Sequence, residues 1–76
     1  MWHSLSNVAK MQRFNVETFT EFALKNRDRF DLDDKNMVST WFTDELIAAY
    51  RYHRGPAAIL AERNEQIEAY RKRIAK

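Results

Sequence analysis

Hydrophobic positions recur at three- and four-residue intervals along most of the chain, the spacing of helices that each bury one face. Val16, Phe19, Ala23 and Phe30 make the first clear stripe, with Phe22 at its edge and Asn15 placed to cap it, which predicts a helix over residues 16–29. Residues 36–53 form a second predicted helix. On a wheel of about 100° per residue, Met37, Val38, Trp41, Phe42, Leu46, Ala48, Ala49, Tyr50, Tyr52 and His53 cover more than half its circumference. A face that broad implies packing against two neighbours. Asp44 and Glu45 precede Arg51 and Arg54, the order a helix dipole favours, and Gly55-Pro56 ends the run.

Pro56 suits the first turn of a third helix, residues 56–75, with Ile59, Leu60, Ile67, Tyr70 and Ile74 on a narrow stripe. Upstream, Ser4 or Ser6 can cap a short helix through Val8 and Met11, either separate from the helix after Asn15 or continuous with it. Residues 31–36 are polar and rich in turn formers, and predict a loop with Leu32 tucked inward. The expected architecture is all-α: a small three-helix bundle, with the short N-terminal helix as an extra element. Its second and third helices form an αα-hairpin and its first packs across them.

Seventy-six residues read as one domain, 1–76, and a domain this small buries only about 60% of the surface its unfolded chain exposes. A partner is a natural source of further burial. Leu60, Ile67 and Ile74 stand at heptad spacing, so a homodimer through the helix 56–75 is one way to supply it, although the seam is too short to specify a coiled coil. With 45% hydrophobic and 32% charged residues, one Gly and one Pro, the composition suits a compact helical chain. There is no Cys, which excludes disulfides and thiolate metal sites. The first residues lack the apolar run of a signal peptide and no segment has the length of a membrane span, so the expectation is a soluble, cytoplasmic protein.

Chemistry is sparse. His3 and His53 are the only imidazoles and form no ligand pair, and the chain's single Gly cannot build a phosphate-cradling loop. Asp31, Asp33 and Asp34 suggest a calcium loop only until Lys35, Asn36 and Phe42 are found where a ligand, the turn glycine and the closing Glu belong. No catalytic, metal or cofactor site is therefore expected. The net charge of +2 is unevenly spread: residues 1–50 hold six Lys/Arg against eight Asp/Glu, and residues 51–76 hold seven against three. Such a basic end either solvates the last helix or meets an acidic partner or nucleic acid. As a helix-turn-helix the chain fits poorly, because residues 56–62 bring no base-reading donor before Arg63.

Aromatic content points to protein recognition instead, since interface hot spots are enriched in Trp, Tyr and Arg. The candidate partner-binding residues are Trp2, Glu45, Tyr50, Arg51, Tyr52, His53 and Arg54, with Trp41 and Phe42 assigned to the core. Glu45 lies within the broad apolar arc of the second helix, so it is either a contact carboxylate in a groove or a boundary residue reaching solvent.

Two blocks resemble the theta subunit of bacterial DNA polymerase III, a small helical accessory protein also carried by some phages and plasmids. Residues 11–17, Met-Gln-Arg-Phe-Asn-Val-Glu, are similar to the opening of that family's first helix, followed by the basic pair Lys25 and Arg27. Residues 39–48, Ser-Thr-Trp-Phe-Thr-Asp-Glu-Leu-Ile-Ala, resemble its Trp-Phe helix. The interval between the blocks is shorter than in the family, and a long charged helix replaces the family's short irregular tail. The resemblance implies a non-catalytic helper that binds the proofreading exonuclease subunit, with Asn15, Val16, Glu17, Trp41, Phe42 and Leu46 as mostly structural family positions. The alternatives from the residues themselves are a phage or mobile-element inhibitor that covers a host enzyme, and a small DNA-binding protein.

Overall fold

In the computed structural model, which describes residues 1–74, the chain is mostly helical. Helix α1, Leu5–Gln12, begins where Ser4 Oγ accepts the Asn7 N–H at 3.0 Å. It ends at Arg13, whose left-handed backbone (φ 60°) returns its N–H to the carbonyls of Ala9 and Lys10. Helix α2, Val16–Lys25, starts at Asn15, whose Oδ1 accepts the Thr18 N–H at 2.9 Å and the Thr18 hydroxyl at 3.0 Å. The short N-terminal helix is thus separate from the one that follows.

Helix α2 stops four residues before its predicted end because local side chains offer the backbone other partners. Asn26 Nδ2 donates to the Phe22 carbonyl at 2.8 Å, and Arg27 donates to Asn36 Oδ1 and the Asp33 carbonyl at 2.8 and 3.1 Å. Asp33 Oδ1 accepts the N–H groups of Lys35 and Met37. Residues 31–36 form the expected loop, and Phe30 and Leu32 are buried beneath it.

Val38 and Ser39 leave the predicted second helix to form strand β2 (Val38–Ser39), antiparallel to β1 (Trp2–His3), with Trp2 opposite Ser39 and His3 opposite Val38. Helix α3 therefore runs Thr40–Arg54 rather than 36–53. Its first N–H is satisfied from afar: the Thr40 N–H and hydroxyl donate to the Met1 carbonyl at 2.9 and 3.1 Å. Gly55, at φ 87°, ends α3, and α4 follows as Pro56–Ile74. Position 75 of the predicted third helix lies outside the described residues. The three-helix bundle is corrected to four helices and a small strand pair among the described residues.

The core gathers around Tyr50. Its ring centroid lies 4.7 Å from Phe14, 5.1 Å from Phe19 and 5.6 Å from Phe22, in tilted and edge-on arrangements that suit aromatic quadrupoles. Leu46, one turn earlier on α3, is also fully buried. This line sets the inward face of α3, and it turns Trp41, Glu45, Ala48 and Tyr52 outward on the opposite side. Trp41, expected in the core, is 87% exposed. Helix α4 spans about 28 Å, yet every residue from 68 to 74 is exposed. Its overhang agrees with an elongated molecule of 41 × 25 × 17 Å.

Candidate functional site

One buried carboxylate ties α4 to the rest of the chain, and it is Glu62 rather than Glu45. Its Oε1 accepts the Tyr50 hydroxyl at 2.5 Å and the Asn15 N–H at 2.9 Å, while its Oε2 accepts Arg54 Nε at 3.1 Å. Residues from the α1–α2 junction, α3 and α4 thus meet on one side chain. Burial alone would raise the Glu62 carboxyl, but the bonds from Tyr50, the Asn15 N–H and Arg54, with the Arg54 charge, outweigh it and hold the group below the usual carboxylate range. The same burial, followed by the bond to Glu62 and its charge, pushes the Tyr50 hydroxyl above the usual phenol range. Both Glu62 oxygens are engaged by protein donors, so this carboxylate is committed to holding the fold.

Two surface grooves flank the C-terminal half of α3, each of about 890 Å³. The groove between α2 and α3 has a floor of Phe22, Ala48 and Ala49, and charges of both signs: Glu21, Lys25, Arg29 and Glu45. Lys25 and Glu21 pair with each other at 3.0 Å, and the His53 ring stacks on Phe22 at 4.9 Å. The other groove opens where the end of α1, the end of α3 and the start of α4 converge. Met11, Pro56, Ile59 and Leu60 supply its apolar surface; Arg13, Arg51 and Arg63 supply its charge, and no carboxylate among the described residues lines it. Met11 and Leu60 are 80% and 57% exposed, well beyond what a core position shows. The Arg51 guanidinium is held over the Phe14 ring at 5.8 Å. Tyr52, 92% exposed, borders both grooves and stands as the ridge between them.

Of the residues singled out from sequence, Arg51, Tyr52, His53 and Arg54 come together at the exposed end of α3. Arg54 is partly committed by its bond to Glu62. Tyr50 does not belong to this surface: it is fully buried, because it faces the three phenylalanines one turn after Leu46. Glu45 is exposed and lines the mixed-charge groove, with no uncomfortable burial to relieve. Trp2 sits on β1 beside the start of α3, about 18 Å of helix rise from Arg51. It therefore does not join the others. Sequence reasoning did not single out Met11 or Arg63 for a partner surface and named Leu60 only within a possible homodimer seam; the clue for Leu60 was that heptad spacing with Ile67 and Ile74. Among the described residues no group of His, Cys, Asp or Glu is arranged to hold a metal ion, and no helix is long and apolar enough to cross a membrane. Compared with family models, curated proteins and solved structures, the chain matches none.

Proposed function

We propose that this protein is a small non-catalytic accessory module whose activity is to bind another protein. The observation that supports this most directly is the surface at the end of α3, where Met11, Tyr52 and Leu60 lie exposed beside Arg51 and Arg63. Aromatic, apolar and arginine side chains in that combination are the composition of interface hot spots. The resemblance of residues 11–17 and 39–48 to the theta family names a first partner to try, the proofreading exonuclease of a replicative polymerase. In this fold Asn15 caps α2 and Leu46 fills the core, structural duties compatible with that resemblance, while Trp41 faces solvent.

The test is titration of the purified protein into the exonuclease subunit, followed by calorimetry and by exonuclease turnover and melting temperature. A complex with raised melting temperature and undiminished turnover is expected. Loss of turnover would instead make the module a blocker. Failure to bind the exonuclease, together with recovery of no defined partner on co-purification from the native host, overturns the protein-binding reading.

A further inference from the structure

Resting on the protein-binding reading, the charge around the α1–α3–α4 groove specifies what kind of segment it receives. Arg13, Arg51 and Arg63 line the groove with no acid among its lining residues, and none of the three makes a salt bridge among the described residues. Lys25 and Arg54, by contrast, are already paired. The apolar surface continues out of the groove along α4. Leu60, Ile67 and Ile74 fall within about 40° of one another on the helix wheel, and Leu60 and Ile74 are 57% and 62% exposed. Arg63 and Arg71 flank this stripe on its two sides, whereas Glu65 and Glu68 lie about 100° or more away from its centre. From Leu60 to Ile74 the stripe is about 21 Å long, enough for roughly four turns of a docked helix.

We infer that this groove and stripe receive an acidic amphipathic helix of the partner protein, its apolar residues on Leu60, Ile67 and Met11 and its carboxylates on Arg13, Arg51, Arg63 and Arg71. Helix-in-groove recognition uses this apolar spacing, and the arginine rim selects the acidic version of it. A second copy of the chain fits less well. Antiparallel pairing centred on Ile67 sets Arg63 against Arg71, and parallel pairing sets each arginine against itself, so either arrangement places like charges across the seam. A nucleic-acid backbone would satisfy the arginines but leave Met11, Leu60 and Ile74 in water.

The experiment uses the full chain and two synthetic helix-forming peptides of ~18 residues with the same leucine spacing, one flanked by Glu and one by Lys, plus a duplex DNA of similar length. Calorimetry at physiological salt is expected to show the Glu peptide binding at least about tenfold tighter than the Lys peptide. The charge reversal Arg51→Glu with Arg63→Glu should invert that preference, and Leu60→Asp should weaken the Glu peptide by about tenfold or more with an unchanged circular dichroism spectrum. Equal affinity for the two peptides, displacement of the Glu peptide by DNA, or a dimer that Leu60→Asp dissociates would each overturn the inference. If the partner protein binds these variants as well as it binds the parent, the protein-binding reading stands and this surface does not serve it.

Discussion

The two halves of α4 belong to one continuous helix but live under different rules. In the first half, Glu62 is buried and joined to Tyr50, Arg54 and the Asn15 backbone, while Ile59 packs partly against the core. In the second half, residues 68–74 are all exposed, although Tyr70 and Ile74 are large and apolar. The helix is thus fastened chiefly by a polar side chain, while Leu60, Tyr70 and Ile74 of its hydrophobic stripe are left exposed, unlike an ordinary amphipathic arrangement. A buried carboxylate needs specific donors and fixes one geometry, whereas an uncovered apolar stripe can be matched by another molecule.

The strongest way to break this contrast is at the fastened half. Glu62→Ala leaves the Tyr50 hydroxyl and the Asn15 N–H without their acceptor, and should cost about 3 kcal/mol in urea denaturation. Its acid limb should go too. The folded carboxyl titrates below its unfolded value, so its stabilisation is present above about pH 4.5 and is lost as pH falls through the depressed folded value; the variant's stability should no longer fall in that window. A cost under about 1 kcal/mol would mean that the apolar contacts of α4 hold it instead.

Tyr50→Phe is the next smaller lesion, expected at about 1.5 kcal/mol, because the ring stays among the phenylalanines and only the bond to a charged acceptor is lost. The parent should also lose stability as pH rises past about 10, where an unfolded tyrosine ionises while the folded one resists. Tyr50→Phe should lack that contribution to the alkaline limb, as read by the denaturation midpoint from pH 8 to pH 11 (~3 units around the tyrosine value). Arg54→Ala should cost less than about 1 kcal/mol, since its side chain is partly exposed and water screens the pair. Smallest of all, Ile74→Ser in the free half and Glu45→Ala on the outer face of α3 should each stay within about 0.5 kcal/mol. If Ile74→Ser destabilised the monomer more than that, the two halves would not differ as described.

Much of the helical content was legible in the sequence because periodicity and caps agree: Asn15, Gly55 and Pro56 mark boundaries that the fold uses. The start of α3 was not, because β2 is only two residues long and exists through its pairing with residues 35 or more positions away. No local pattern reports such a partner. The inward face of α3 was misjudged for a related reason. Its apolar residues surround more than half the helix, so the wheel alone could not choose between Trp41 and Tyr50, and the choice fell to the phenylalanines of the α1–α2 region. Glu62 was hidden by its surroundings in sequence, a stretch of charged residues where one acid looks like any other. Its burial depends on donors from three other places in the chain, Asn15, Tyr50 and Arg54. The exposed cluster at Arg51, Tyr52, His53 and Arg54 was readable because it sits beside a helix end, where side chains have few neighbours.

The hydrogen bonds from Thr40 to the Met1 carbonyl have a bearing on the order in which the chain assembles. They join residues 39 positions apart in sequence with little apolar burial of their own, since Thr40 and Met1 are both exposed. Closing so large a loop carries an entropic cost that a few solvent-exposed bonds do not offset until the aromatic core has already drawn the ends together. The terminal clasp is therefore expected to form after the core and to open before it. Hydrogen exchange at Thr40 would then proceed through a local opening, faster than at Tyr50, whose amide should wait for global unfolding. Trp2 belongs to the clasp itself and is only 46% exposed, so its indole would pass further into water on opening and serve as a built-in optical reporter of a motion that leaves the rest of the molecule intact.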